Sequence, residues 1–224
     1  MDKNDLKTLF RKQVADVNKP YLWDDIEVDQ YMTDAQDMFV RLTGGIADFS
    51  TQDIVEVPVD EGEPMSAHSQ YILRILSARL VDAERDLKIV DPSNIADAVD
   101  MDYGFQTPSS LRDDDTGPVT AMVLGLEDNA IRWYRVPVVS DICKLHVRRL
   151  PYPRDAECLE IDDMHHIHLL KWMKHMAYNK EDAETYDKSL ADKNEALFRS
   201  YCADAKVEQE GKRYKVRTVR YGGL

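Results

Sequence analysis

The stretch Asp24–Gly45, DDIEVDQYMTDAQDMFVRLTGG, decides the fold class. Val28, Tyr31, Met32, Ala35, Met38, Phe39 and Leu42 recur at i, i+3, i+4 and i+7, the spacing of one buried helix face. Asp24 stands where an N-cap belongs, and Glu27 follows three residues later, as a capping box requires. Gly44-Gly45 supplies the stop. Upstream, Leu6, Phe10, Val14 and Val17, with Leu9 beside them, predict a helix over about residues 3–18, ended by Pro20.

Downstream of Gly45 the period changes. Ile54–Val59 reads as a strand, Tyr71–Leu80 (YILRILSARL) fits either helix or strand, and Asp86–Val90 reads as a short strand. Val119–Leu124, Ala130–Val136 and Ile142–Arg149 are β-rich, with a hairpin turn expected at Gly125–Asn129. The polar segment Asp100–Pro118, with two glycines and two prolines, predicts a long loop. Helical spacing returns after Pro151-Tyr152-Pro153. One helix is expected over about 161–179, with Leu169, Leu170, Met173, Met176 and Ala177 on one face. A second is expected over about 181–206, with Ala183, Tyr186, Leu190, Leu197 and Tyr201 on its stripe and Phe198 beside it.

The order helix pair, strands, helix pair predicts an α+β fold with segregated elements. The N- and C-terminal helix pairs, residues 1–50 and 160–206, would form a helical bundle. Residues 51–159 would be a central antiparallel β-rich insertion, and 207–224 an extended basic C-terminal arm.

Charge narrows the function. The 224 residues hold 29 Lys+Arg against 42 Asp+Glu, a formal net charge of −13, which argues against general coating of DNA. The C-terminal segment runs the other way: Lys206, Lys212, Arg213, Lys215, Arg217 and Arg220 face only Glu208 and Glu210. Such an arm suits docking on an acidic neighbour, another copy of the chain included; a solvated terminus is the plainer reading. Three widely spaced cysteines, Cys143, Cys158 and Cys202, argue against a disulfide framework. No apolar run approaches the length of a membrane span, and MDKNDLKTLF has no apolar signal core, so the chain is expected to stay in the cytoplasm where it is made.

No combination of nucleophile, base and oxyanion donor stands out, so no catalytic, cofactor or metal residues are assigned. His165, His166, His168 and His175 cluster within one expected helix. On its wheel His166 faces the apolar stripe, while His168 and His175 face away; His165 and His168 could meet, yet no HExxH motif accompanies them. Asp113-Asp114-Asp115 could hold a hard cation but lacks EF-hand spacing, which leaves a solvated loop. A metal-dependent enzyme built on these histidines and aspartates is therefore the weaker alternative. Asp162-Asp163 reads as favourable charge at a helix start. Trp133-Tyr134 between Arg132 and Arg135 could stack on nucleic acid, but strand alternation places Arg132 and Trp133 on opposite faces of a half-buried strand. Tyr21, Trp23 and Tyr31 fit a hydrophobic staple and helix packing.

Three stretches carry a resemblance. They are PYLWDDIEVDQYMTDAQDMFVRLTGGIADFS (Pro20–Ser50), AIRWYRVPVVS (Ala130–Ser140) and EIDDMHHIHLLKWMKHMAYNKEDAETYDKSLADKNEALFRSYC (Glu160–Cys202). Their order resembles the head-to-tail adaptor, or connector, proteins of tailed phages, the podovirus type above all. The resemblance implies a structural virion protein without catalytic residues or cofactors. It implies a homo-oligomeric ring, typically a dodecamer, at the head–tail junction, assembled in the host cytoplasm. Its partners would be the portal protein above and the tail nozzle or tail tube below, with DNA passing through the channel without specific binding and no membrane involved. Another ring-forming tail-tube or head-completion protein is the near alternative. The candidate portal- or neighbour-binding residues are Lys206, Lys212, Arg213, Tyr214, Lys215, Arg217 and Arg220.

Overall fold

A computed structural model describes residues 1–98, 111–152, 158–181 and 185–212. In chain order, α1 (Lys3–Gln13) and α2 (Asp25–Thr43) lead into β1 (Ile46–Asp48), the one-turn α3 (Gln52–Val55), β2 (Glu56–Val59) and β3 (Met65–Ala67). Then follow β4 (Ile72–Leu80), β5 (Asp86–Val90), a 3-10 helix (Pro92–Ala98), β6 (Thr116–Gly117) and β7 (Ala121–Leu124). β8 (Ala130–Tyr134), β9 (Val136–Pro137) and β10 (Asp141–Arg149) complete the strands, and α4 (Asp163–Tyr178) and α5 (Lys188–Gly211) close the chain. The fold is α+β. The chain divides into two compact units, one from Met1–Gly44 and Pro151–Leu224, the other from Gly45–Leu150.

In the helical unit, α4 packs on α1, α2 and α5, and α2 also meets α5. Phe10, Trp23, Met32, Phe39, Leu169, Met173 and Phe198 fill the core. The capping box of α2 forms as its sequence requires. Asp24 Oδ1 accepts from the Glu27 amide at 2.7 Å, and the Glu27 carboxylate accepts from the Asp24 amide at 3.2 Å. Gly44 closes the helix at φ +94°, a left-handed conformation that glycine adopts without a side-chain clash.

α1 stops at Gln13 instead of continuing to residue 18, and Val17 is left 55% exposed. A buried ionic hub draws the chain out of the helix. Arg11 donates to Asp16 at 2.6 Å, to the Trp23 carbonyl at 3.0 Å and to Asp25 at 2.8 Å, and its guanidinium lies 3.7 Å from the Tyr21 ring centre. Asp16 in turn accepts from the Leu22 amide at 2.9 Å. Trp23 then packs edge-on against Phe10 and Tyr178.

The face that α5 buries is one residue round from the sequence stripe. Ala191, Asn194, Phe198, Cys202 and Ala205 are buried, whereas Leu190, Leu197 and Tyr186 stay substantially exposed. The helix also runs on to Gly211, so residues 207–211 are helical and do not belong to an extended arm.

The strand unit is built on β10, which pairs with β1 and β2 along one edge and with β4 along the other. The sheet order is β1-β10-β4-β5-β7-β8-β3, and β6 and β9 form a separate parallel pair. The sheet is mixed: β5 and β7 run parallel, whereas the sequence predicts an antiparallel insertion. Residues 91–120 separate the two strands in the sequence, far more chain than a hairpin turn and enough for a parallel pair. Ile54-Val55, expected in a strand, lie in α3. There Asp48 Oδ1 accepts from the Ser50 and Thr51 amides at 2.9 and 3.1 Å and turns the chain into the short helix.

β4 resolves the ambiguity of YILRILSARL. Two register shifts against β10 leave Leu73 and Leu76 without a cross-strand partner, so Ile75, Ala78 and Leu80 are buried at uneven spacing. β8 departs from simple alternation too. Arg132 and Trp133 are both buried, and the Trp133 indole donates to Ser66 Oγ at 2.9 Å.

At the edge where the chain enters and leaves this unit, Arg149 Nε donates to Asp48 Oδ2 at 2.6 Å, with side-chain exposures of 7% and 4%. Burial alone would raise the Asp48 pKa. Hydrogen bonds from Thr51, Ser50 and Arg149 outweigh it and hold the carboxyl well below the usual range. Because the folded pKa lies below the unfolded one, this stabilisation is present above the ordinary value of 3.8 and is lost as pH falls toward the folded value. Asp48→Asn should cost the strand unit about 3 kcal/mol at pH 7, by stranding a buried guanidinium. Urea unfolding of both proteins should show that gap narrowing steadily below about pH 4; an undiminished gap at pH 3 would sink this account of the pair.

Candidate functional site

The histidine cluster of α4 is structural. His165 and His166 are both buried. His165 Nδ1 lies 2.7 Å from the Tyr201 hydroxyl, and its ring packs on Phe39. His166 sits between the Met1 carbonyl, 2.8 Å from Nδ1, and the Ile161 carbonyl, 2.9 Å from Nε2. His168 stacks on Tyr201 with 3.5 Å between ring centres. His175 Nδ1 lies 3.1 Å from the Ala191 carbonyl. Each ring is thus spent on joining α4 to its neighbours, above all to α5. Among the described residues, no three His, Cys, Asp or Glu side chains are grouped to hold a metal ion.

The aspartate run is tied down by arginines. Asp113 pairs with the buried Arg132 at 2.8 Å, and Asp115 lies 3.7 Å from Arg135. The thiols of Cys143 and Cys202 are buried, and burial pushes each up to about 12, where a thiol is a poor nucleophile at neutral pH. No helix of the described residues is long and apolar enough to cross a membrane.

The described residues also present two charged surfaces. On α2, the side turned from the core carries Ile26, Asp29, Gln30, Thr33, Asp34 and Asp37 around a shallow groove. Helical spacing brings these residues to one face. Ile26 is 70% exposed there. Asp34 accepts from the Trp172 indole at 2.6 Å, and Asp29 pairs with Lys7 at 2.9 Å. Burial raises the pKa of Asp37; the neighbouring Asp34 adds to the rise and Arg41 opposes it.

On the strand unit, the outer side of the β10–β4 ladder is basic. Residues directly opposite in register share a face, and here Lys144 faces Arg79 and Arg148 faces Arg74. His146 lies between them, opposite Ser77. Such like-charge pairs are unfavourable on a free sheet face. Two carboxylates partly offset them: Asp86 pairs with Arg79 at 3.3 Å, and Glu56 lies opposite Lys144. Leu76, Ile142 and Phe49 add exposed apolar area nearby.

Of the arm residues read from the sequence, Lys206 lies within α5 and Lys212 caps it. Arg213, Tyr214, Lys215, Arg217 and Arg220 lie outside the described residues. The basic sheet face was not picked out from sequence, because its cations alternate with core residues and come from separate strands. Its signal lies in the alternation of Lys144, His146 and Arg148 with Leu145 and Val147.

Burial lowers the pKa of both His165 and His168, so folding favours their neutral forms. The unfolded chain then binds more protons, and stability falls as pH drops through the ordinary imidazole value of 6.5. The melting temperature of the helical unit should therefore fall between pH 7 and pH 5. In a His165→Gln/His168→Gln variant that fall should be smaller; an identical slope in both proteins would contradict the assignment.

Residues 1–220 match a protein-family model described as SU10 adaptor protein. No curated protein matches the chain. With nearly its whole length matched, the chain belongs to the SU10 adaptor family, a family of structural adaptor proteins of bacteriophages.

Proposed function

We propose that this member of the SU10 adaptor family is a head-to-tail adaptor, forming a ring below the portal, extending the DNA channel and giving the tail nozzle its docking surface. The family match over residues 1–220 is the observation that carries this reading. Two physical features support it. A chain of net charge −13 suits a conduit that lets a polyanion slide past without gripping it. The histidines, tryptophans and cysteines that could have served chemistry are largely taken up in packing and hydrogen bonds. The chain's partners are then copies of itself, the portal protein and the tail nozzle or tube, and its place is the virion.

The basic segment from Lys206 to Leu224 is the portal- or neighbour-binding element in this reading, with Lys206 and Lys212 on the end of α5 and Arg213, Tyr214, Lys215, Arg217 and Arg220 beyond it. Lys215 and Arg217 alternate with Tyr214 and Val216, a pattern suited to adding a strand to an exposed sheet edge. Repetition around a ring multiplies a weak contact. Ending the chain after Lys212 should leave the melting temperature unchanged and reduce capture by immobilised portal protein at least tenfold, an avidity effect of the expected order. Undiminished capture would remove the segment from portal binding.

A further inference from the structure

We propose that the basic outer face of the β10–β4 ladder docks on the acidic outer face of α2 in a second copy of the chain. This rests on the adaptor reading only in taking the protein to be self-assembling, and it names the two surfaces that meet. The sheet face carries Arg74, Arg79, Lys144 and Arg148 in two opposed like-charged pairs. Arg74 and Lys144 are exposed, and neither makes an ion pair among the described residues. Asp86 beside Arg79 and Glu56 opposite Lys144 answer part of this charge, and Arg74 and Lys144 remain open to a further carboxylate. The cost of that repulsion is removed when a carboxylate-bearing surface covers the face.

The α2 face has the matching chemistry and form. Asp29, Asp34 and Asp37 lie along a shallow groove with Ile26 exposed at one end. The sheet face has its own exposed apolar groups, Leu76 and Ile142, among the cations. A duplex nucleic acid would neutralise the arginines but leave those leucine and isoleucine side chains facing phosphates. An acidic helix face with an exposed isoleucine satisfies charge and apolar area together. The two faces differ, so the contact is heterologous: each copy presents both, and the contact repeats from copy to copy as a ring requires.

The test is sedimentation of three proteins over a concentration series at low and high salt, with a duplex DNA and the portal protein as added probes. The wild type should self-associate, alone or on the added portal protein, more tightly at low salt. Arg74→Glu/Lys144→Glu and Asp29→Lys/Asp37→Lys should each weaken that association about tenfold or more. Mixed in equal amounts, the two variants should associate again, because each then supplies the charge that the other lacks. Melting curves show whether each variant folds.

Variants that associate as well as the wild type, or a mixture that regains nothing, would overturn the proposal. So would a wild type that stays monomeric both alone and with the portal. Loss of duplex binding in Arg74→Glu/Lys144→Glu with self-association intact would reassign the face to DNA. Portal capture of the wild type is scored separately. A chain that binds portal but whose association ignores these charges loses this contact and keeps the adaptor role; a chain that associates through them but ignores the portal does the reverse.

Discussion

The strand unit depends on the way its two ends are tied. The chain enters it through β1 and leaves it through β10, and the two strands pair antiparallel with Ile46 opposite Arg149. At this edge the buried Arg149–Asp48 pair is closed at 2.6 Å, and Arg148 donates to the Gly45 carbonyl at 3.1 Å. Asp48 has a second task, since the oxygen not held by Arg149 takes the Ser50 and Thr51 amides and starts α3. Gly45 admits the close approach. Its φ is +88°, and a Cβ there would come within 2.9 Å of the Arg148 Cβ. An inserted unit must begin and end close together if the flanking helices are to form one unit of their own. Here one ion pair and one glycine meet that demand.

The helical unit shows the same economy in its connection from α1 to α2. A single buried guanidinium, Arg11, gathers Asp16, Asp25, the Trp23 carbonyl and the Tyr21 ring. A lysine there could not serve several acceptors in one plane while presenting a flat face to an aromatic ring. Nothing local in the sequence marks Arg11 for this role. The helical spacing of Val14 and Val17 argues for a longer α1, and long-range ionic contacts override it.

Legibility followed the same physics elsewhere. α2 could be read to its caps, because the capping box, a full apolar stripe and Gly44 all agree. β4 could not, because two bulges place buried residues at 75, 78 and 80, a spacing that mixes the strand and helix periods. β8 was expected to alternate, but buried Arg132 reaches the Pro64 carbonyl and Asp113 while Trp133 is buried beside it. In α5, Leu190 and Leu197 are large apolar residues at helical spacing, yet the helix buries Ala191 and Asn194 instead. Apolar periodicity records what an element can bury, and packing decides which face is used. Both candidate surfaces are distributed patterns of charge that appear only once strands are in register or a helix has a solvent side. A motif scan has nothing there to find.

Charge segregation joins these observations to function. In the proposed adaptor role, an acidic chain that gathers cations on one sheet face and in one terminal segment uses them to meet copies of itself and its neighbours in the particle. The most direct test is native mass spectrometry of the purified chain, alone and then with its portal protein. The account predicts a ring-sized assembly of the chain on the portal, formed only or chiefly when the portal is present. A chain that remains monomeric and separate from the portal under the same conditions would contradict it.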